Sequence, residues 1–541
     1  MKIKRIGVAA IALAAAGALT LTGCTSGSPS SSGAAGDMSA IITTNGSEPQ
    51  NPLIPTNTNE VGGGKILDAI FAGLVYYDAK GAVHNDVAES IESDDAQNYT
   101  IKIKPDLKFT NGDPVNAESF VKAWNYGAAL DNAQLSSYFF GDIEGFSLDE
   151  NRPELSGLKI VDDLTFTVAL IQPESDFPLS LGYSAFYPLP ESAWDDLEAF
   201  GENPIGNGPY MLDGEGAWKH NEEINLVTNP DYDGPRKAQN GGLDIIFYAS
   251  QDASYADLQG GNVDVVDQIP EAALSSYADE FPDRSVNQAA AIFQSFTIPA
   301  RLPHFSGEEG QLRRAAISMA INREEITDVI FEGTRTPAHD FTSPVIDGYS
   351  EDVPGSEVLE FNPEKAKELW AQADAIAPWS GTFQIAYNAD GGHQGWVDAV
   401  SNQLKNNLGI DASGNPYPTF AEARTEITNR TIQTAFRSGW QADYPALFNF
   451  LGPLYGTGAG SNDGDYSNPE VDALLKEGRA ETDIDAANEK FQQVQEILFK
   501  DLPAVPLWYS NVNGAWNDTV DNVEFGWNSV PLYYQITKAA E

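Results

Sequence analysis

Apolar and polar positions along the chain switch repeatedly between a period of two and a period near 3.6, which predicts alternating strands and helices. Helices are predicted over residues 65–76, 116–124, 311–322, 362–376, 471–479 and 485–502. Strands are predicted over 38–44, 98–103, 243–248, 382–388 and 505–509, and 158–171 predicts two strands around an Asp-Asp turn. This interleaving predicts an α/β fold.

The stretch 431–450, TIQTAFRSGWQADYPALFNF, contains the main functional candidate. Residues 431–437 alternate with a period of two, which predicts a strand that leads into a bend at Gly439 and Trp440. Asp443 follows, between an indole and a phenol. A carboxylate among aromatic rings keeps its charge only if a cation pairs with it. An internal Arg or Lys, a cap on its own turn, and a ligand are the three alternatives for the partner of Asp443.

Length and charge limit the possible classes of protein. A chain of 541 residues is too long for one ordinary core, so two or three domains are expected. The 42% hydrophobic content is typical of a globular protein. A formal net charge of −48 argues against a nucleic-acid partner, because phosphates require clustered Lys and Arg. Such acidity indicates a protein that associates weakly with itself, and we expect a monomer.

The N-terminus predicts export. A basic start precedes an apolar run over 6–21, which is typical of a secretory signal, and no later stretch has about 18 uninterrupted apolar residues. Cys24 is the only cysteine, so no intrachain disulfide can form. The sequence Leu-Thr-Gly-Cys that ends at Cys24 resembles a bacterial lipobox, so residues 1–24 are interpreted as a lipoprotein signal peptide with its lipobox. The resemblance implies cleavage just before Cys24 and a lipid on the Cys24 thiol. Residues 25–37 then predict a flexible tether.

Six segments, in order, resemble the family 5 solute-binding proteins of ABC importers, the oligopeptide- and dipeptide-binding kind. They are FTNGDPVNAE from 109, IGNGPY from 205, NPDYDGP from 229, GGNVD from 260, QLRRAAISMAINRE from 311 and GWQADY from 439. Asn207 replaces the usual Thr of the second segment, and Asn322 replaces the usual Asp of the fifth. The resemblance extends from about residue 42 to the end of the chain.

The resemblance implies a two-lobed periplasmic-binding-protein-like fold of class II (cluster C), with an extra domain and a ligand enclosed between the lobes. Its implied boundaries place lobe I at 38–85, 201–295 and 506–541. The extra domain takes 86–200 and lobe II takes 296–505.

The resemblance also implies a site around Asp443, which corresponds to the anchor for a peptide's α-ammonium group. Gln441 and Ala442 precede it in the same ligand-binding segment. Trp440 is implied to form a pocket wall for the first ligand residues; alternatively, it packs beneath the bend.

Three further residues match positions that contact ligand in the oligopeptide binders. Arg437 and His393 match side chains that reach the ligand's carboxylate, and Tyr417 matches an aromatic residue against a ligand side chain. Each has a structural alternative. Arg437 can pair with Asp443, while His393 and Tyr417 can be ordinary core or surface residues. Fully extended, Arg437 and Asp443 would be about 20 Å apart at roughly 3.3 Å per residue, close to a peptide of about six residues.

The function implied is the capture of extended oligopeptides by their backbone and terminal charges, and their delivery to the permease subunits of an ABC transporter. An extended peptide can pair with a strand edge whatever its side chains. No enzyme activity and no cofactor are expected. Relatives that bind sugars, nickel or opine-like compounds keep a non-peptide solute open as an alternative.

Other classes have less support in the sequence. A secreted hydrolase lacks a Gly-x-Ser-x-Gly or His-Glu-x-x-His motif. Five scattered His and one Cys do not support a transition-metal site, and the acidic stretch from Asp463 lacks the Gly and Glu of a calcium loop. A surface adhesin would require a broad apolar patch.

Overall fold

The computed structural model describes residues 37–418 and 420–539, so Cys24 and nearly all of the tether predicted over 25–37 lie outside the described residues. The helices are α1 (Val61–Ile70), α2 (Ala117–Ala128), α3 (Phe177–Ser180), α4 (Leu197–Glu202), α5 (Gln251–Gly260), α6 (Tyr277–Glu280), α7 (Gly307–Met319), α8 (Arg323–Val329), α9 (Pro363–Ile376), α10 (Gln394–Leu408), α11 (Phe420–Thr428), α12 (Leu447–Tyr455), α13 (Pro469–Arg479) and α14 (Ile484–Asp501).

The strands interleave with these helices along the whole described chain. They are β1 (Ile41–Gly46), β2 (Val75–Tyr77), β3 (Val83–Asn85), β4 (Ala88–Glu92), β5 (Asn98–Ile103), β6 (Leu158–Asp162), β7 (Thr165–Ala169), β8 (Tyr210–Leu212), β9 (Trp218–Lys219), β10 (Glu223–Thr228), β11 (Gly242–Phe247), β12 (Val265–Val266), β13 (Ser285–Thr297), β14 (Arg335–Pro337), β15 (Thr382–Asn388), β16 (Asp411–Tyr417), β17 (Ala435–Gln441), β18 (Ala504–Trp516), β19 (Val520–Asp521) and β20 (Thr537–Lys538).

Most predicted elements are confirmed, and their local chemistry explains their ends. β5 and β15 have the predicted bounds. The helix predicted from 116 begins where expected because the Asn116 side chain accepts a hydrogen bond from the Ser119 backbone N–H at 3.0 Å. The Asp-Asp turn separates β6 from β7. The α/β class is therefore confirmed.

Several predicted boundaries differ from the observed ones, and the structure explains two of these errors. The helix predicted over 65–76 instead begins after Glu60, whose carboxylate accepts from the Gly63 N–H, and it ends at Ile70. It cannot continue because the buried Asn207 side chain binds both the N–H and the C=O of Ala72, each at 3.0 Å. The apolar residues that follow belong partly to β2, so their helical spacing misled the prediction.

The second wrong boundary concerns the strand predicted over 431–437. β17 begins only at Ala435 and runs straight through Gly439 and Trp440, where a bend was predicted. Both residues pair with β13, Gly439 with Gln294 and Trp440 with Phe293. The ladder with β13 therefore overrides the local bend signal of glycine.

One twelve-stranded sheet runs through the described chain in the order β16-β15-β17-β13-β18-β12-β1-β11-β10-β8, with β14 and β9 on its sides. β1 is parallel to β11, and β15 is parallel to both β16 and β17. The long strands β13 and β18 are antiparallel from Ser285–Ala515 to Thr297–Ala504, with two register shifts. A separate antiparallel sheet has the order β4-β5-β7-β6.

Separate hydrophobic cores divide the chain into two lobes. One core draws its buried residues from 42–265 and 512–536 and includes residues of the β4-β5-β7-β6 sheet. Two others draw theirs from 291–509, with Trp527 added to one of them. The long pair β13 and β18 connects the two lobes within one sheet. Among the described residues, no helix combines the length and apolar character needed to span a membrane.

Candidate ligand-binding site

β17 and the residues that follow it contribute to two cavities. Cavity one measures about 300 Å³ and is lined by residues within 58–78, 182–187, 209–236 and 526–534, and by Gln441, Ala442 and Asp443. Cavity two measures about 160 Å³ and is lined by residues within 295–297, 424–440, 454–466 and 503–504, including Arg437 and Trp440. The five predicted residues within 437–443 therefore divide between two neighbouring cavities.

Local hydrogen bonds hold Asp443 at the edge of cavity one. The Ala442 N–H donates to the Ala291 carbonyl at 2.9 Å, which extends the pairing with β13 by one residue. The Asp443 N–H then donates to Asn449 Oδ1 at 2.9 Å, and Asn449 Nδ2 donates back to Asp443 Oδ2 at 3.2 Å. Trp440 Nε1 also donates to Asn449 Oδ1, at 3.2 Å. The first turn of α12 thus fixes both Trp440 and Asp443.

The electrostatic environment of Asp443 leaves its charge uncompensated. Burial raises the pKa of this carboxyl to about 6, and the hydrogen bond from Asn449 opposes the rise. Within residues 37–418 and 420–539, no Lys, Arg or His makes an ion pair with Asp443. Burial also raises the pKa of Tyr77, Tyr138 and Tyr183, and the charge of Asp443 raises each further. The carboxylate therefore faces phenol groups rather than a cation.

The cations that line cavity one already have partners. Lys65 forms a buried ion pair with Asp267. Arg236 lies 3.2 Å from Asp86 and 3.1 Å from Asp68. Neither cation is available to neutralise Asp443, so the described lining residues supply no cation to it and a ligand could do so.

Cavity two contains an uncompensated cation, Arg437, whereas cavity one contains an uncompensated carboxylate. Arg437 is half-buried, and its Nε has no hydrogen-bond partner among the described residues. Burial lowers the pKa of Arg437, and it forms no ion pair with any described carboxylate, Asp443 included. The nearby Asp463 is bound by Arg424 at 2.9 Å and by Arg430 at 3.3 Å, so it is committed elsewhere. Cavity two can therefore accept an anion at Arg437.

One edge of β17 is open between the two charged residues. β13 pairs along Phe436–Gln441, whereas β15 pairs only with Ala435 and Phe436. Among the described strands, nothing pairs with the second edge of residues 437–441. An extended chain can add to such an edge through main-chain hydrogen bonds.

His393 and Tyr417 lie apart from the other predicted residues, because neither lines either of the two cavities. His393 precedes α10, and its Nδ1 accepts from Trp396 Nε1 at 3.1 Å. Tyr417 ends β16 and packs against a small apolar cluster that includes Ile427 and Phe436. Since Ile427 and Phe436 also line cavity two, Tyr417 is one layer behind that cavity.

Several lining residues had no sequence signal. Tyr77, Tyr183, Arg236 and Trp527 line cavity one, and Arg424 lines cavity two. They come from segments far apart in the chain, and only the fold brings them together. Across the described residues, no group of three or more His, Cys, Asp or Glu is arranged to hold a metal ion.

Comparison with known proteins identifies the family. A family model described as bacterial extracellular solute-binding proteins, family 5 middle, matches residues 82–462. The chain belongs to this family. The membership of the chain in this family agrees with its two-lobed fold and with the unpaired edge of β17 at residues 437–441.

Two family 5 relatives from Escherichia coli (strain K12) are similar over most of the chain. The periplasmic oligopeptide-binding protein OppA is 27% identical over 485 residues, covering 87% of each chain. The probable deoxycholate-binding periplasmic protein YgiS is 27% identical over 482 residues, covering 84% of this chain and 85% of the relative. Identity at this level therefore does not distinguish a peptide from another solute.

The fold is similar to that of a solved periplasmic binding protein. The periplasmic murein tripeptide-binding protein MppA, in its unliganded open form, superposes with a TM-score of 0.80 at 20% identity. The alignment covers 94% of this chain and 99% of MppA. The two-lobed α/β fold expected from the sequence is confirmed.

Proposed function

We propose that this family 5 protein captures extended oligopeptides outside the cytoplasm and delivers them to an ABC permease. The observation that carries the proposal is Asp443, a carboxylate that lines a cavity of about 300 Å³ and whose side chain, among the described residues, is hydrogen-bonded to the neutral Asn449 and to no cation. An α-ammonium group is the cation that every unmodified peptide supplies. Pairing with it would stabilise the charge that burial opposes.

Arg437 supports a zwitterionic ligand. Its guanidinium lines the neighbouring cavity with an unused Nε donor, which suits the carboxylate at the other end of a short peptide. The unpaired edge of 437–441 lies between the two charges and offers main-chain groups to an extended ligand. Terminal charges and backbone bonds together would accept many side-chain sequences.

We further propose that the ligand lies between two lobes. Lobe I consists of 38–85, 201–295 and 506–541 and carries the extra domain at 86–200, and lobe II consists of 296–505. Cavity one supports this division, since Asp443 faces Tyr183 of the extra domain and Trp527 of lobe I across the same cavity. His393 and Tyr417 would contact only ligands long enough to extend beyond the two cavities. Alternatively, they would support the residues that line cavity two.

A non-peptide solute remains the second candidate because a deoxycholate-binding relative is as similar to this chain as OppA is. Deoxycholate has a carboxylate but no ammonium group, so it would leave Asp443 without a partner. The raised pKa of Asp443 and the charge at Arg437 together favour a ligand with both charges.

Export and anchoring complete the proposal. The signal over 1–24 and the lipobox-like residues before Cys24 support a lipid-anchored protein on the outer face of the cell membrane, acting as a monomer without a cofactor. Binding and delivery would make and break no covalent bond.

Mass spectrometry of small molecules released on denaturation tests the function. We expect the wild-type protein to release a mixture of peptides and Asp443→Asn to release few, because the variant cannot pair with an ammonium group. Asp233→Asn is the matched control, since that side chain is 94% exposed and lies outside both cavities. Release of a bile acid or a sugar by the wild type, with no peptide, would contradict the proposal.

A further inference from the structure

Arg479 connects lobe II to three carboxylates of the extra domain. Its Nη2 donates to Asp142 Oδ2 at 3.0 Å and forms an ion pair with Glu174, while its Nε lies 3.9 Å from Asp176 Oδ1. The Arg479 side chain is 10% exposed, and those of Glu174 and Asp176 are 4% and 2% exposed. We call Asp142, Glu174, Asp176, Tyr444 and Arg479 the brace.

The main chain fixes the same contact. The Ser175 N–H donates to the Arg479 carbonyl at 2.7 Å, and Ser175 Oγ donates to the Gly478 carbonyl at 3.4 Å. The guanidinium also lies over the Phe448 ring, 4.3 Å from its centre. Arg479 is thus held between the extra domain and α12.

Two routes lead from the brace to Asp443. Tyr444 is the next residue along the chain, and its hydroxyl donates to Asp176 Oδ2 at 3.0 Å. Phe448 precedes Asn449, whose side chain makes both hydrogen bonds to Asp443. A displacement of Arg479 would therefore shift residues 443–449 both at Tyr444 and at Phe448.

The buried carboxylates of Glu174 and Asp176 depend on the positive charge of Arg479 to stay ionised. Burial raises the pKa of Glu174 and of Asp176, and the Arg479 guanidinium opposes both rises. One oxygen of each, Glu174 Oε1 and Asp176 Oδ1, has no hydrogen-bond partner among the described residues. Without Arg479, these buried carboxylates would have no cation, which is strongly unfavourable unless the loops separate or take up protons.

We infer that Arg479 is a positioning residue for peptide recognition, because through Asp176 and Tyr444, and through Phe448, it holds the Asp443 carboxylate in place for the ligand's ammonium group. The inference rests on the proposed function. Arg479 itself lines neither cavity and is not assigned a contact with the ligand.

Calorimetric titration with tri-alanine and with N-acetyl-tri-alanine tests the inference. For the wild type, we expect much tighter binding of the free peptide than of the acetylated one. For Arg479→Met, we expect the dissociation constant of tri-alanine to rise about tenfold or more, while that of the acetylated peptide changes little. Arg479→Lys keeps the cation and should recover part of the preference.

Lys490→Met is the matched control. It removes a cation of α14 that pairs at 2.8 Å with Glu477 of α13, the helix that ends at Arg479, so both partners of this ion pair belong to lobe II. We expect it to retain the wild-type preference. A residue with a purely structural role would lower the fraction of protein that binds, with no selective loss for the free peptide.

Tyr444→Phe keeps the test informative if Arg479→Met does not fold, because it removes only the hydroxyl that donates to Asp176. We expect a smaller loss in the same direction. If the wild type prefers tri-alanine and both Tyr444→Phe and Arg479→Lys retain the full preference, the inference is wrong and the proposed function stands. If the wild type binds neither peptide, the proposed function fails and the inference fails with it.

Discussion

Asp443 and Arg437 have opposite charges and are six positions apart, but burial disfavours the charged form of both side chains. Burial raises the pKa of Asp443 and lowers the pKa of Arg437, so the fold disfavours both charges. Neither side chain has an ion-pair partner among the described residues. A ligand with an ammonium group and a carboxylate would relieve both penalties, and this physical argument favours a peptide.

The pH dependence of tri-alanine affinity follows from the pKa of about 6 at Asp443. The ammonium group binds the ionised carboxylate, so we expect affinity to be constant near pH 7 and to fall about tenfold per pH unit well below pH 6. The stability of the empty protein should change in the opposite sense. The raised pKa of Asp443 contributes stability below about pH 4, and this contribution is lost as the pH rises through 6.

Calorimetry between pH 4.5 and 7.0 checks this dependence, since the peptide amine, with an ordinary pKa of about 7.7–8.0, stays mostly protonated over that range. Asp443→Asn should bind weakly with a flat profile. A wild-type affinity that is the same at pH 5 and pH 7 would show that Asp443 does not titrate against the ligand.

Among the elements, the turn between α4 and β8 explains why α1 ends where it does. A Cβ at Gly206 would lie 1.9 Å from the Ile70 carbonyl oxygen, so this close approach of two main chains requires glycine. Between Gly206 and Gly208, the Asn207 side chain binds both main-chain groups of Ala72. The buried side-chain amide of Asn207 thus satisfies the main-chain N–H and C=O of Ala72, as a neighbouring strand would.

Asn207→Ala should destabilise the folded protein by about 2–4 kcal/mol, because the N–H and the C=O of Ala72 lose their partner in a buried site. Urea unfolding measures the change. Asn207→Thr, the usual residue in the family segment, should cost less, since a hydroxyl both donates and accepts. Equal stability of the alanine variant and the wild type would mean that water replaces both hydrogen bonds.

For the whole molecule, the net charge of −48 favours weak self-association, and attachment through a lipid at Cys24 is part of the proposed function. With the proposed boundaries, the extra domain and lobe II meet at the brace, and lobes I and II share the sheet through β13 and β18. Cavity one has lining residues from all three parts, so a ligand in cavity one would contact each of them.

Cys24→Ser should release the protein from the membrane fraction when it is expressed in a bacterium that processes lipoproteins. Two acyl chains on one anchor bind a bilayer stably, at about 0.8 kcal/mol per buried CH₂ group, and serine cannot receive the thioether-linked lipid. Fractionation and the intact mass measure the outcome, with Ser28→Ala in the tether as the control. Membrane retention of Cys24→Ser would show that the signal remains uncleaved or that another contact anchors the protein.

The sequence by itself determined the α/β class, the family and many of the elements, because hydrophobic period, caps and turn residues act within a few positions of one another. It singled out Asp443 because a carboxylate between Trp440 and Tyr444 is unusual in its local chemistry. It also placed Asn116 at a helix start, since a capping side chain bonds within the next three residues.

The tertiary structure alone decided what depends on distant partners. Pairing with β13 kept β17 extended through Gly439, and Asn207 ended α1 from more than a hundred positions away. Only the fold separated Arg437 and Asp443 into two cavities, left His393 and Tyr417 outside them, and brought Arg479 to Glu174. Long-range contacts of this kind have no periodic signal in the sequence, since each joins positions that no local pattern relates.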